Sequence, residues 1–232
     1  MGMEENGTQE ADVLPEDWAQ EDDISTEISQ EIRKLKRAML NEKFSPEILP
    51  FETSLVHELK EVIEVQDALI DEEELARSSG PSRNSLGLHL RKIEIGRVKY
   101  LLRAYLRSRL LKIEHRAKRT LHDELYRSRL STDEFKYAEN FVKLMEAHFQ
   151  SSFLDQLPEK LRSVDDRDGD VDMSPGPALN RFVFCHVKKN VGTTAISDDP
   201  TDQALYLGAG DVYCLRYKPV RDLVESGSID LL

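Results

Sequence analysis

Five histidines, His57, His89, His115, His122 and His148, fall in the first two thirds of the chain, and imidazole is the commonest side-chain ligand for a metal. No HExxH run and no cysteine nearby completes a zinc site around any of them. His115 and His122, seven apart on one helix, would share a face, but two ligands without a third read as surface residues. Cys185-His186, with Cys214 further on, offers a thiol beside a base. Adjacent strand residues point to opposite faces, so Cys185 reads as a buried structural cysteine. Asp166, Asp168, Gly169 and Asp170 suggest a calcium loop. Placing Gly169 at the required sixth position puts Val164 at the first ligand and Pro175 where a bidentate Glu belongs, and the match fails. Gly208-Ala209-Gly210 has Tyr213 where a dinucleotide fingerprint needs its third Gly, and no helix follows it directly. There is no P-loop and no GxSxG. Ser174-Pro175 permits proline-directed phosphorylation, on a dipeptide too common to carry weight. The chain reads as a protein that is not an enzyme, with no cofactor and no metal.

What remains is surface, and one stretch dominates it. Residues 84–122, with IGRVKYLLRAYLRSRLLKIE at their centre, contain no Pro and are dense in Leu, Arg and Lys, all good helix formers. They predict one continuous helix of about 50 Å. At the helical period it carries two apolar stripes. Ile93, Tyr100, Leu101, Ala104 and Leu111 share one face, and Ile95, Val98, Leu102, Tyr105, Leu106 and Ile113 the opposite one. A helix with two stripes must be covered on both sides, one by its own domain and the other by a partner. The stretch also holds eleven of the chain's 32 Lys/Arg and only two of its 44 acids, Glu94 and Glu114. Lys99, Arg103 and Arg107 recur at i, i+4, i+8, a repulsive row unless acids from a neighbour face it. Asp71-Glu72-Glu73-Glu74, closing the preceding helix, are the candidates. An alternative reading is a nucleic-acid-binding module using Lys99, Arg103, Arg107, Lys112, Arg116 and Arg119.

The chain has 232 residues, enough for one large or two small domains. A net charge of −12 argues against general nucleic-acid affinity, which needs clustered cations. Two cysteines and an acidic N-terminus without an apolar h-region point to a reduced intracellular compartment. Residues 1–24 contain no Lys or Arg and read as an acidic disordered tail. Ser25 and Thr26 are placed to cap a first helix carrying Ile28, Ile32, Leu35, Met39 and Leu40, which ends near Phe44 because Pro46 disfavours helical geometry at Ser45. Pro46–Leu49 predicts a short helical turn. A second amphipathic helix runs from Leu55 to Ile70. Ser131 and Glu134 form a capping box opening the helix through Phe153. From 164 to 177 an acidic, then Pro/Gly-rich run reads as a linker. Residues 178–232 read as a small β-rich domain, with a hairpin turn at Gly208–Asp211, one helical turn after Pro219 and a last strand at Ile229–Leu232. The expected fold is α+β: a helical bundle over 25–163, a flexible linker, and a β-rich domain whose core is marginal on its own.

Three segments, LNEKFSPEIL (40–49), GRVKYLLRAYLRSRLLKIE (96–114) and RYKPVRDLVESGSIDLL (216–232), together with LSTDEFKYAENF (130–141), resemble the Sld-five family of the eukaryotic GINS complex. The resemblance implies a nuclear, non-catalytic scaffold subunit, assembled with three Psf-type subunits into a heterotetramer. It further implies contact with the MCM ring and a Cdc-family partner in the CMG replicative helicase, which acts in initiation of DNA replication and fork progression. The expected partner interface comprises Tyr100, Leu102, Arg103, Tyr105, Leu106, Arg107, Arg109 and Ile113 of the long helix. Tyr217, Leu223, Ile229, Leu231 and Leu232 of the C-terminal domain complete it. In some relatives an N-terminal acidic–apolar helix docks on a Ctf-type adaptor, and Asp22, Asp23 and Ile24 resemble that motif, with helix capping as the alternative. Gly96 departs from the family's bulkier helix former, implying a bend or a close backbone approach there.

Overall fold

In the computed structural model, the described residues are 17–78, 85–158, 162, 176–195 and 204–232, with residues 17–29, 77, 78 and 85 described by backbone alone. Helices α1 (Asp17–Phe44), α2 (Thr53–Ser78) and α3 (Ser85–His115) are followed by α4 (Ala117–His122), α5 (Glu124–Ser128) and α6 (Thr132–Ser152). A 3₁₀ turn at Leu154–Gln156 closes the helical part. Strand β1 (Phe182–Val187), β2 (Gly192–Thr194), β3 (Leu205–Leu207) and β4 (Val212–Arg216) then precede α7 (Tyr217–Glu225) and β5 (Ile229–Leu231). This is the α+β architecture expected, a helical bundle followed by a small antiparallel sheet. No helix among the described residues is long and apolar enough to cross a membrane.

The inner stripe of α3 makes the bundle. Val98, Leu101, Leu102 and Tyr105 pack with Leu35 of α1 and Leu55, Val56 and Leu59 of α2. Acids of α2 do meet cations of α3, but not in the expected pairing. Arg103 and Arg107 of the expected row are exposed, and Lys99 is held at 2.6 Å by Asp67, outside the 71–74 run. Glu73 pairs with Arg91 and Glu74 with Lys92, near the start of α3. The spacing of the three pairs makes α2 antiparallel to α3. These are exposed pairs worth at most about 1 kcal/mol each; they set register, while the apolar contacts supply the stability.

Four sequence expectations are corrected here. Helix α1 begins at Asp17, eight residues before the expected Ser25/Thr26 caps. The acids Asp17, Glu21, Asp22 and Asp23 fall in its first turns, where the helix dipole favours negative charge. The rest of the expected disordered tail lies outside the described residues. The long helix breaks at Arg116 (φ −137°, ψ 32°), whose N–H turns back to the Ile113 carbonyl and whose guanidinium reaches the Pro46 carbonyl at 2.9 Å. The break lets Ala117 and Thr120 be buried, and it removes the shared face assumed for His115 and His122. Gly96 sits inside the continuous helix, and among the described residues nothing beyond its own helical turn approaches within 4 Å of where its Cβ would be. The turn at Gly208–Asp211 is not a hairpin. β3 pairs with β2, while β4 joins the separate sheet β4-β1-β5. The Gly210 N–H donates to Val187 and the Val187 N–H to Asp211, so this turn, with Gly210 at φ 93°, hands the chain from one sheet to the other.

Helix α6 opens on the expected capping box. Ser131 Oγ accepts the Glu134 N–H at 3.2 Å, and Glu134 Oε2 accepts the Ser131 N–H at 3.0 Å. Ser131→Ala should cost about 1 kcal/mol, read as a small fall in urea midpoint at unchanged slope. A loss above about 3 kcal/mol would mean that the hydroxyl holds more than this cap.

Pro46-Glu47-Ile48-Leu49 is not a helical turn but a non-helical strap, bent at Pro46 and Glu47. Ile48 enters the small core with Ile113 and Ala138. Leu49 enters the C-terminal core beneath the sheet, with Val183, Cys185, Val187, Leu215, Tyr217, Val220 and Ile229. One dipeptide thus connects the two halves.

Candidate functional site

A buried, non-helical strap leaves carbonyls that no neighbouring helix turn or strand satisfies, and such groups must find partners. Here four cationic side chains supply them. Arg116 donates to the Pro46 carbonyl, Lys112 Nζ to Glu47 at 2.7 Å, Arg129 Nη1 to Ile48 at 2.8 Å and Arg109 Nη1 to Leu49 at 2.7 Å. The strap could not be a helix, because its carbonyls are already committed to residues 60 or more positions away in sequence.

Buried cations need acids, and three buried glutamates surround them: Glu42, Glu47 and Glu134. Arg109, 0% exposed, gives Nε and Nη2 to the two oxygens of Glu134 at 2.7 and 3.0 Å, and Nη1 to Glu42 at 3.0 Å. Its guanidinium also lies over the rings of Phe51 and Tyr105. Burial pulls the Arg109 guanidinium down, but Glu134 and Glu42 outweigh it and raise it above its ordinary range. Lys112, paired to Glu42 at 2.7 Å, is pulled below the usual lysine range by burial. Burial pushes the Tyr105 phenol up to about 12; its oxygen accepts the Glu52 N–H at 3.3 Å.

Glu47, also 0% exposed, does the same for the C-terminal domain. Its carboxylate accepts from Tyr217 Oη at 2.9 Å and from Arg221 at 2.7 and 2.8 Å, and it pairs with Arg129 at 3.2 Å. Arg129 reaches on to Glu225. Burial, reinforced by Glu47, raises the Tyr217 phenol well above its ordinary range. β5 is joined to α1 by the Leu231 N–H donating to Asn41 Oδ1 at 2.7 Å and by Arg37–Asp230 at 3.2 Å, which covers a strand edge that would otherwise be open. Every buried charged side chain among the described residues has a partner within the chain. Among the described residues no cluster of three or more potential ligands could hold a metal.

The expected interface residues therefore divide. Leu102, Tyr105, Arg109 and Ile113 are buried in the chain's own core, and Leu106 packs against the same core. Tyr217, Ile229 and Leu231 are buried in the C-terminal core, with Leu223 packed on it. Tyr100 (67% exposed), Arg103, Arg107 and Leu232 remain on the surface. Asp22, Asp23 and Ile24 lie on the α1 backbone, their side chains outside the described residues. Of the alternative nucleic-acid row, Lys99, Lys112 and Arg116 have partners within the chain. The outer stripe of α3 is open along the helix: Leu86, Leu90, Ile93, Tyr100 and Leu111 are all exposed. Leu101, expected on that stripe, turns inward. Beside the stripe, Tyr137 of α6 donates to Glu114 at 2.6 Å, and Leu144 extends the apolar surface along α6.

A helical bundle clasped to a small sheet by buried ion pairs, with an uncovered apolar flank, defines an assembly subunit. The family described as the GINS complex protein helical bundle domain matches residues 61–153, and that described as the DNA replication complex GINS protein SLD5 C-terminus matches residues 177–232. Proteins called DNA replication complex GINS protein SLD5 are similar over most of their length. The Arabidopsis thaliana protein is 36% identical over 88% of this chain and 92% of its own, the Mus musculus protein 32% over 87% and 88%, and the Homo sapiens protein 31% over 97% and 100%. The chain belongs to the SLD5 family of GINS replication-complex proteins.

Proposed function

We propose that this chain is a non-catalytic scaffold subunit of a GINS heterotetramer with three Psf-type subunits. In this reading it acts in the nucleus, within the CMG helicase alongside the MCM ring and a Cdc-family partner, in initiation of DNA replication and fork progression. The observation that carries the reading is the apolar stripe left open on α3. An exposed patch of that length on a folded chain is what a permanent partner covers. The clasp supports the same reading, because it fixes the sheet to the bundle before any partner arrives. The division into a helical domain over 25–163, a linker over 164–177 and a β-rich domain over 178–232 belongs to this proposal. So does docking of a Ctf-type adaptor on the N-terminal helix; a helical backbone through Asp22, Asp23 and Ile24 is compatible with it.

The test is Tyr100→Asp combined with Leu111→Asp, co-expressed with the Psf-type subunits. Both side chains are exposed, so helicity and thermal midpoint should stay near those of the parent. Partner affinity should fall about a thousandfold, since two desolvated anchors are worth about 2 kcal/mol each. Recovery of an intact four-chain complex carrying both changes would overturn the assignment of this face.

A further inference from the structure

The sheet β4-β1-β5 is covered on one face only. Val183, Cys185 and Val187 of the middle strand point into the core, and Phe182 and Phe184 alternate with them on the other side, 61% and 59% exposed. Two aromatic rings at i and i+2 on a central strand stand side by side on a rigid base. Such a pair is a stacking platform, which accepts any nucleobase because every base has a π-face. Around it the charge is positive, in a chain whose net charge is −12. Arg216, opposite Phe182 in register, places its guanidinium 5.7 Å from that ring's centre. At the far end, past His186, Lys188 and Arg37 of α1 converge on Asp230, at 3.5 and 3.2 Å. The Asp230 carboxylate is thus already matched by two cations. Arg33 follows one helical turn away on α1, exposed.

We propose that this outer sheet face binds single-stranded DNA, with bases stacked on Phe182 and Phe184 and backbone phosphates held by Arg216 at one end and by Lys188 and Arg37 at the other. The span from Phe182 to Lys188 is roughly 20 Å at the ordinary rise of a strand, room for about three nucleotides of an extended strand on a site of the usual size. A protein partner would have to cover two aromatics while leaving cations at both ends opposite acids of its own. A polyanion with stackable rings satisfies both features at once. The surface is separate from the α3 stripe, so it stands or falls independently of the assembly reading.

The experiment uses the full chain assembled with its GINS partners, titrated into a fluorescein-labelled twenty-nucleotide oligo-dT strand and followed by anisotropy at several salt concentrations. Binding should weaken with salt at a log–log slope of about −2, for about three phosphate contacts on a single strand. Phe182→Ala with Phe184→Ala should weaken binding about thirtyfold at fixed salt and leave the slope unchanged. Arg216→Glu with Lys188→Glu should flatten the slope. Phe182→Tyr with Phe184→Tyr should restore binding. Size-exclusion chromatography of every variant should show the complex intact. Equal affinity of the double-alanine variant and the parent would sink the proposal. So would loss of the complex in that variant, which would make the face a protein interface, or tighter binding of an oligo-uridine strand or a duplex of the same length.

Discussion

Arg109→Ala should destabilise the chain by about 3–5 kcal/mol, the usual consequence of removing one partner from a buried ion pair. In a domain whose total stability is on the order of 5–15 kcal/mol, that leaves a molecule close to unfolding at 37 °C. The cost comes from what is left behind. Glu42 and Glu134 would remain as buried carboxylates without their shared counter-ion, and the Leu49 and Arg129 carbonyls would lose their donor. Arg109→Met fills the volume yet leaves the same acids and carbonyls, so its cost should match alanine to within about 1 kcal/mol. Arg109→Lys keeps the charge but cannot serve Glu134 with two parallel bonds while reaching Glu42, and it should cost roughly half as much. Urea unfolding of the three variants at pH 7, with the C-terminal domain intact, supplies the comparison. An alanine variant within 1 kcal/mol of the parent would show that water enters and solvates the two acids, and the clasp would not be the structural centre described above.

The sequence made the outline of this fold legible and concealed its junction. Helix limits set by local chemistry were readable: Pro46 ended α1, and Ser131 with Glu134 opened α6. The two-faced character of α3 was readable from spacing alone. What misled was Arg109. Leu102, Tyr105, Arg109 and Ile113 are spaced three, four and four apart, so the arginine lies on the inward stripe with apolar neighbours above and below. A charged residue so placed signals either an interface or a buried pair, and spacing cannot separate them. The answer lies in Glu42 and Glu134, 67 positions before it and 25 after. The strap at 46–49 was hidden for the same reason, since its carbonyls bond to side chains of other helices. The separation of β3 from β4 was equally invisible, because a Gly-rich turn between two short strands fits a hairpin until β1 takes β4 for its own sheet. The open stripe was half legible: Tyr100 and Leu111 were placed on the outer face, while Leu101, one position round, turned inward.

Glu47→Ala should act differently from Arg109→Ala, loosening the joint between the two halves before it unfolds either. Glu47 is the only carboxylate among the described residues that meets Tyr217, Arg221 and Arg129 together. Removing it takes from the buried Arg129 one of its two carboxylates and from the Tyr217 hydroxyl its acceptor, while the bundle core of Leu35, Leu59, Leu102 and Tyr105 has no contact with the change. The expected cost is again about 3 kcal/mol, equivalent to roughly a hundredfold rise in the opening of α7 and β5. Amide hydrogen exchange should report it locally: faster exchange over residues 217–231, unchanged protection in α2 and α3. Glu225→Ala supplies the contrast. Glu225 shares Arg129 and Arg221 with Glu47 but is partly exposed, so its removal should cost no more than about 1 kcal/mol and leave α7 protected. If Glu47→Ala left exchange in α7 at the parental rate, Leu49 and the Asn41–Leu231 bond would be sufficient to hold the sheet, and the buried charges would owe their presence to the strap's carbonyls alone. If exchange rose equally throughout the chain, the two halves would unfold as one cooperative unit, and the clasp would serve the stability of the whole chain instead of the placement of its C-terminal domain.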